Sequence, residues 1–426
     1  MGKPAPIEFK TPAERGRTEI RVELEVITPV FGGGVHVNGD EQTRHQKEPD
    51  RITPLRGAAI RGHLRFWWRA THGSACGSIA AMREKETMIW GAASKPAQVR
   101  IRVEGLDGEF KDVEVFRIKK EQDGPPRLVA IAEKGIAYGA FPLQTPMDGI
   151  RKSIPCGKLH DLSGKANLVI ESGKFKDEVE DAIDAWLAFG GIGGRTRRGF
   201  GALAGHRVGA HKESPEQLFE RLRRIAKALP GVPSLADASL RVSSWSRRTA
   251  LDCLERGLAR LNAFRQGPGV GRNAGKDGEK HPGRSRWPEA DEIRQVTRSA
   301  ALKHSVRQVH VAKYPRAHFG LPIIFHFKDE REGDPKDSRL VPVSGERLAS
   351  PLILRPVQEA PDRFRALALV LGDPARLAAG VELVDKQGTA HVAHIDLSPA
   401  EANMIRPLDG NPDPLDAFLK YFGEMQ

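Results

Sequence analysis

The chain has 426 residues, a net charge of +12, 39% hydrophobic residues and 29% charged residues, a composition typical of a soluble globular protein. Its length predicts about two or three domains, and its positive charge predicts an acidic partner such as nucleic acid. No apolar run is long enough to span a membrane, and Cys76, Cys156 and Cys253 form no C-x-x-C pair. The sequence therefore argues against a membrane span, a disulfide framework and a cysteine zinc site, and favours the cytoplasm.

The first half predicts alternating strands and helices. Apolar residues alternate with polar ones over 19–27, which is typical of a strand with one buried face. A helix with a broad apolar side begins at Pro54 and runs to Ala70. The later predicted elements are strands at 98–103, 113–118 and 166–171, a helix at 178–189, and a strand at 200–208, with an irregular insertion at 119–160. This order is the ferredoxin-like β-α-β-β-α-β pattern.

The second half predicts the same fold class. A charged helix at 215–229 lies in a junction, 211–238, which we interpret as a linker. Beyond it the pattern predicts a strand at 239–245, a helix at 249–264, a Gly/Pro/Lys-rich loop at 267–288, strands at 323–328, 352–356, 364–371, 381–384 and 390–395, and a helix at 414–422. We therefore predict an α+β protein with two ferredoxin-like (RRM-like) β-α-β-β-α-β domains, 1–210 and 239–426, with long insertions.

The segment 190–201, here called the glycine-arginine loop, is the most informative stretch of the sequence. Six of its twelve residues are glycine and three are arginine. Glycine costs backbone entropy, whereas arginine carries a permanently charged donor fork that suits phosphate. We expect the backbone N–H groups of Gly193, Gly194 and Gly199 to bind phosphate oxygens. The charged partners in this prediction are Arg195, Arg197 and Arg198. The alternative is a tight solvent-facing turn between a helix and a strand.

The helix after Pro54 carries arginines on its polar side. Arg61, Arg65 and Arg69 are spaced four residues apart, and like charges at that spacing repel by a few tenths of a kcal/mol. An anion lying across these three residues, here called the helix arginines, would relieve the repulsion, whereas the alternative is a solvated face. We place Trp68 at the edge of this face, where it stacks on a base or packs against protein. Trp67 lies on the apolar side and is predicted to be core.

Several blocks together resemble the RAMP superfamily of CRISPR proteins. They are Ile27-Thr28-Pro29 with Phe31-Gly32-Gly33, Leu55-Arg56-Gly57, Leu64-Arg65-Phe66-Trp67-Trp68-Arg69-Ala70, the glycine-arginine loop, Ser285-Arg286-Trp287-Pro288, Pro315-Arg316 with Gly320-Leu321-Pro322, and Arg347-Leu348-Ala349-Ser350-Pro351-Leu352. Within the superfamily the chain is most similar to the first RAMP subunit of the type III-B effector complex. The glycine-rich loop marks only the superfamily, whereas the Leu-Arg-Phe-Trp-Trp-Arg block is more specific.

The resemblance implies two packed ferredoxin-like folds and no catalytic activity. It implies a subunit at the head of a ribonucleoprotein, near the 3′ end of the guide RNA and the matching end of the target RNA. Its protein partners would be a backbone RAMP subunit and a second head subunit. The insertions 119–160 and 267–288 depart from the family pattern and are candidates for these subunit contacts. We expect binding that is largely independent of RNA sequence, because no base-reading residues are evident.

A catalytic alternative remains open. His36, Asp40 and His45 follow the first strand, and histidine suits acid–base chemistry near neutral pH, as in a metal-independent endoribonuclease that processes guide RNA. No lysine-histidine-tyrosine set is evident, and the chain has three tyrosines. The spacing of His304, His310, His318 and His326 does not predict a zinc site, and a P-loop is excluded because the glycine loop lacks Gly-Lys-Ser/Thr. We expect no metal and no cofactor. A basic architectural RNA-binding protein fits the charge but not the Leu-Arg-Phe-Trp-Trp-Arg block.

Overall fold

The computed structural model of the chain describes residues 18–32, 55–107, 109–120, 124–146, 149–150, 154–162, 164–275, 283–306 and 310–424. These ranges contain helices and antiparallel strands, so the predicted α+β class is confirmed. The strands are β1 (Glu19–Val26), β2 (Val30–Phe31), β3 (Arg100–Asp107), β4 (Phe110–Glu114), β5 (Phe116–Lys119), β6 (Arg127–Ala130), β7 (Lys158–Leu162), β8 (Lys165–Glu171), β9 (Leu203–Arg207), β10 (Ser234–Arg247), β11 (Ile323–Phe325), β12 (Ser338–Pro342), β13 (Leu352–Ala360), β14 (Arg363–Gly372), β15 (Val381–Val384) and β16 (Ala390–Val392). The helices are α1 (Gly57–Ala70), α2 (Ile79–Trp90), α3 (Lys134–Gly139), α4 (Lys176–Phe189), α5 (Pro215–Ile225), α6 (Ala250–Gln266), α7 (Glu289–Thr297), α8 (Pro399–Met404) and α9 (Pro414–Gly423).

The first half is built on a four-stranded antiparallel sheet in the order β3-β8-β1-β9. The predicted alternation of β1 is confirmed, because its residues are alternately exposed and buried along the whole strand. Val22 faces Leu168 of β8, and Leu24 faces Gly205 of β9. Burying an aliphatic side chain of this size stabilises the fold by roughly 1.5–3 kcal/mol, so the alternating positions fix which face of the sheet is covered.

Helices α1 and α4 cover the first sheet with their apolar sides. Leu64 and Trp67 of α1 are buried in the same cluster as Val179 and Trp186 of α4. The Trp67 ring lies 5.8 Å from the ring of Phe189, at the end of α4. The chain enters the glycine-arginine loop directly after α4, so this packing fixes where the loop begins.

The insertion at 119–160 is more ordered than its composition predicts. Its described residues include β6, α3 and the start of β7. The Glu255 carboxylate of α6 accepts the backbone N–H groups of Gly135 and Ile136 at 3.0 and 2.7 Å. These are unpaired donors at the start of α3, where a negative charge is favourable. The insertion is thereby docked onto a helix of the second half.

The second half contains a three-stranded antiparallel sheet, β10-β14-β13, that is buried on both faces. On β14, Leu367 and Leu369 belong to the core cluster shared with the first half, whereas Ala366 and Ala368 belong to a second cluster. Strand periodicity separates the two sets, because successive side chains point to opposite faces. Helix α5 packs on the first face through Leu218, Phe219 and Leu222, so the segment predicted as a linker contributes to the core. Helices α6 and α9 cover the second face.

A separate four-stranded sheet, β11-β12-β15-β16, has its own core cluster in the second half. The strands predicted at 381–384 and 390–395 are found as β15 and β16, which pair antiparallel with Val384 opposite Ala390. Helix α2, helix α7 and strand β12 were not predicted. Helix α2 has a local signal that the sequence offers, since the Ser78 hydroxyl accepts the N–H of Ala81 at 3.1 Å as an N-cap. Among the described residues, no helix has the length and apolar character needed to cross a bilayer.

Candidate nucleic-acid interface

The glycine-arginine loop lies at the seam between the two halves and is shaped mainly by packing within the chain. Its backbone takes left-handed conformations at Gly193 (φ 75°), Arg195 (φ 53°) and Gly199 (φ 77°). A side chain at Gly199 would place its Cβ 2.5 Å from Cδ1 of Leu254 and 2.8 Å from the carbonyl oxygen of Leu354. Glycine is therefore required at this position by the close approach of the second half.

Two of the three predicted N–H donors are already used inside the protein. The N–H of Gly194 donates to the carbonyl oxygen of Phe31 at 2.7 Å, and the N–H of Gly199 donates to that of Thr196 at 3.0 Å. The prediction that these two groups bind phosphate is therefore wrong for this conformation, because each donor already has an acceptor. Within the described ranges the N–H of Gly193 donates no backbone hydrogen bond, so Gly193 alone of the three stays a candidate.

Two arginines of the loop hold the second half through its carbonyl groups. Nη1 of Arg197 donates to the carbonyl oxygen of Ser350, and Nη1 of Arg198 donates to that of Leu352 at 2.9 Å. A guanidinium has five N–H donors, so these contacts use only part of each group. Burial lowers the pKa of Arg197 and lowers that of Arg198 to about 10, and both remain cationic at neutral pH. These residues are both seam contacts and positive charges.

Arg195 is the most available charge in the loop. Its guanidinium carbon lies 5.9 Å from the ring centre of Phe31 and 5.2 Å from that of Phe141. Its Nε is buried and has no hydrogen-bond partner among the described residues. Burial also lowers its pKa. A partly desolvated cation that has no carboxylate in an ion pair to it among the described residues is suited to binding an anion.

Two further arginines, which the sequence did not single out, extend this positive charge. Arg265 of α6 donates to the hydroxyl of Tyr138 at 2.9 Å, and its charge acts on Arg198 together with those of Arg195 and Arg197. Burial and the charge of Arg197 lower the pKa of Arg376 to about 10. No ion pair to a carboxylate is found for any member of the group within the described ranges. We call these residues the seam arginines: Arg195, Arg197, Arg198, Arg265 and Arg376.

The helix arginines have a different environment. Nε of Arg65 and Nε of Arg69 donate to Oε1 of Glu86 at 2.7 and 3.0 Å, and Glu86 is 3% exposed. Burial would raise the pKa of the Glu86 carboxyl, but the hydrogen bonds from Arg69 and Arg65 lower it. An internal anion therefore already lies across these two arginines, in place of the predicted RNA phosphate. Arg61 is half-buried, with an Nε that lacks a partner among the described residues.

Trp68 is part of the core, so of the two alternatives left open by the sequence the structure favours packing within the protein. The side chain is 0% exposed, and its Nε1 donates to Oε2 of Glu178 on α4 at 2.8 Å. Trp67 is also buried, as predicted. Both tryptophans are buried because α1 packs against the sheet and α4 on one side and approaches α2 on another. Periodicity alone identifies only the first of these contacts.

The histidines that the sequence singled out either lie against carboxylates or fall outside the described ranges. The first group is His304, His310, His318 and His326. His36 and His45, together with Asp40, lie outside the described ranges. His304 and Asp329 lie with Asp334 in a group whose spacing could hold a metal ion. However, Arg294 donates to both oxygens of Asp334 at 2.9 and 3.0 Å. Burial would raise the pKa of Asp334, but the hydrogen bonds from Arg294, the Ala301 N–H and His304 lower it to about 2. The group is a buried ion-pair network whose central carboxylate is already occupied.

Comparisons with known proteins find one sequence-family match and several similar structures. Residues 23–204 match the sequence profile of the RAMP superfamily. Cmr1 from Pyrococcus furiosus in its apo form is similar in structure, with 17% identity, a TM-score of 0.45, and coverage of 84% of this chain and 88% of that one. A chain of the type III-B Cmr-beta complex bound to cognate target RNA has 11% identity, a TM-score of 0.42, and coverage of 94% and 100%. No curated protein matches the chain.

Proposed function

Because residues 23–204 belong to the RAMP superfamily, we propose that the chain is a non-catalytic RNA-binding subunit of a type III-B CRISPR RNA-guided effector complex. In this proposal it lies at the head of the complex, near the 3′ end of the guide RNA, and holds guide or target RNA for antiviral defence. Its protein partners are a backbone RAMP subunit and a second head subunit.

The observation that carries RNA binding is the group of seam arginines. They come from the glycine-arginine loop, from α6 and from the segment after β14, and none of them forms an ion pair with a carboxylate among the described residues. Asp373 is the nearby acid, and its charge raises the pKa of Arg376 against the effects of burial and of Arg197. Concentrated positive charge of this kind attracts a polyanion and releases its counterions. The guanidinium donors that remain unused match the oxygens of a phosphate. The site offers phosphate contacts rather than base-edge contacts, so binding is largely independent of sequence.

We also infer that the first sheet with α1 and α4 is a ferredoxin-like domain. Support comes from the order β1-α1-β3-β8-α4-β9 along the chain and from the antiparallel strand order β3-β8-β1-β9. The second half supplies β10, α6, β13, β14 and α9 in a related order. Its three-stranded sheet has no fourth strand among the described residues, so the expected sixth element of the pattern is not seen there.

RNA binding and the absence of catalysis are tested together with the purified chain. Two unrelated single-stranded RNAs of equal length are titrated, and the bound RNA is then examined for cleavage. The proposal predicts similar affinities, a steep loss of binding with salt, and intact RNA. Cleaved RNA that becomes intact in His36→Ala/His45→Ala would establish the endoribonuclease instead. Absence of RNA binding at low salt would contradict the proposal.

The place in the complex is tested in the cells that produce the protein. A tagged chain should co-purify with RNA of guide length and with RAMP subunits that mass spectrometry identifies. Recovery of the chain alone, under conditions that keep a type III-B complex intact, would remove the subunit assignment but not RNA binding.

A further inference from the structure

The seam exposes one aromatic ring beside its most available charge. Phe141 is 55% exposed and is the only aromatic residue among the exposed large apolar side chains that the structure describes. It begins a short 3-10 helix, Phe141–Leu143, in the insertion that follows α3. An exposed ring of this size leaves apolar area in water unless something covers it.

The position of Phe141 is fixed from several directions. Helix α3, immediately before it, is held by Glu255 of α6, and Tyr138 accepts a hydrogen bond from Arg265. The N–H of Leu143 donates to the carbonyl oxygen of Ala140 at 2.9 Å, and the N–H of Gly157 donates to that of Leu143 at 2.9 Å. The ring is therefore presented by a backbone that is anchored to both its own insertion and the second half.

Arg195 supplies the second component. Its guanidinium carbon lies 5.2 Å from the Phe141 ring centre and 5.9 Å from the ring centre of Phe31. Phe31 is half-buried, so Phe141 is the ring that offers an open face. A nucleotide combines a flat base with an anionic phosphate, and an aromatic face next to an arginine matches both parts. A protein partner that covered the ring alone would leave the positive charge of the seam arginines unmatched, whereas an RNA strand supplies both a flat base and phosphates.

We propose that Phe141 and Arg195 form a site for one unpaired RNA nucleotide, with the base on the Phe141 ring and its phosphate on Arg195. This inference rests on the proposed RNA binding and goes beyond it, because it assigns one position of the bound strand to one residue. Stacking tolerates any base, so the site holds one nucleotide of the strand without reading its sequence.

The test uses the full chain and a set of RNAs of the shortest length that binds with full affinity, each lacking the base at one position. At that length, sliding of the strand would lose phosphate contacts. Wild type should lose affinity by about tenfold at one position and little elsewhere, because base stacking is worth roughly 1–3 kcal/mol. Phe141→Leu keeps the apolar volume but not the aromatic face. It should bind all RNAs of the set equally, with about the affinity that wild type has for the RNA that lacks the critical base.

Two variants complete the test. Phe141→Trp should keep the position-dependent loss, since indole offers a stacking face. Ile324→Ala removes a side chain that is 54% exposed on β11 and should leave the profile unchanged. A profile in Phe141→Leu identical to that of wild type would overturn the stacking site and assign the exposed ring to a protein contact. Failure of wild type to bind any RNA would instead overturn the proposed function.

Discussion

Two groups of arginines in this chain share a charge but not an environment. The helix arginines Arg65 and Arg69 share the buried carboxylate of Glu86. The loop arginines Arg197 and Arg198 bind carbonyl oxygens, and Arg195 lies against aromatic rings. A carboxylate cancels the charge of a guanidinium, whereas a carbonyl or an aromatic ring orients it and leaves the charge in place.

The difference shows that the partner, and not the arginine itself, decides whether a site is available to a polyanion. In the sequence, arginines at i, i+4 and i+8 indicate a row of phosphate contacts. In the fold, Glu86 of α2 is the acid that binds Arg65 and Arg69. The seam arginines are scattered in the sequence, and the fold brings them together with no carboxylate in an ion pair to them among the described residues. The following variants remove a buried arginine, an acid that binds arginine, or the tryptophan beside the helix arginines. They are given in order of decreasing expected effect.

Arg355→Met removes an arginine that is held entirely by carbonyl groups. Arg355 is 2% exposed, and it donates to the carbonyl oxygens of Leu187 and Gly190 at 2.8 and 2.7 Å and to that of Leu203. These buried acceptors would lose their donor, so the free energy of unfolding should fall by about 3–5 kcal/mol in urea titrations. Arg363→Met, at an exposed ion pair with Glu359, should cost less than about 1 kcal/mol. Equal losses of unfolding free energy in the two variants would contradict a stabilising role for the hydrogen bonds from Arg355 to the three carbonyl groups.

Asp334→Asn tests the pair of Arg294 with its buried acid partner. The pKa of Asp334 in the folded protein, about 2, lies below its unfolded value, so this carboxylate stabilises the fold above pH ~4 and stops doing so as the pH falls toward ~2. The variant should be less stable by about 2–4 kcal/mol at neutral pH. It should also lose less stability than wild type between pH ~4 and ~2, as followed by urea titration at each pH. If the stability of the variant fell with pH as steeply as that of wild type, Asp334 would not be the group that titrates.

Glu86→Gln converts the helix arginines from paired to unpaired charges. We expect a loss of about 1–3 kcal/mol in the free energy of unfolding, because charged hydrogen bonds are weakened. RNA binding should become tighter and more dependent on salt. Glu84→Gln is the matched control and should leave stability unchanged, because Glu84 is exposed on α2, the helix that carries Glu86. Tighter RNA binding by both variants would show only a general charge effect.

Trp68→Phe tests whether the buried tryptophan contributes to stability alone and not to RNA binding. The variant loses the hydrogen bond from Nε1 to Glu178 and should be less stable by about 1 kcal/mol in thermal or urea unfolding. RNA affinity should not change, since the ring does not reach the surface. If the variant loses RNA affinity under conditions in which it is fully folded, Trp68 contributes directly to RNA binding.

The sequence predicted those elements whose signals are local. The alternation of Ile20, Val22 and Leu24 identifies β1, and the apolar side of α1 predicts its packing on the sheet. The glycine content of 190–201 correctly marked a constrained loop, but it did not distinguish close packing within the chain from an approach by RNA. The sequence left open whether Trp68 stacks on a base or packs on protein, because its hydrogen bond to Glu178 of α4 joins residues 110 positions apart. The acid partner of the helix arginines was missed because α2, which carries Glu86, was not recognised.

The remaining part of the candidate site depends on tertiary structure. Arg265 and Arg376 lie about 70 and 180 positions beyond the loop in the chain, and only the packing of α6 and β14 brings them to the seam. Phe141 was hidden in an insertion of irregular composition, and its exposure becomes evident only once α3 is docked on α6. No pattern within a short window could have indicated these contacts.

The most direct test of the central claim compares the salt dependence of RNA binding in two double variants. Arg195→Ala/Arg265→Ala removes two seam charges, and Arg65→Ala/Arg69→Ala removes two charges that share the single carboxylate of Glu86. The slope of log affinity against log salt should fall by roughly 1–1.5 in the seam variant, since each phosphate contact on a single strand contributes about 0.7. It should fall by no more than about 0.7 in the helix variant, because Glu86 already compensates one of its two charges. Equal slopes in the seam variant and wild type, or a reduced slope only in the helix variant, would contradict the account.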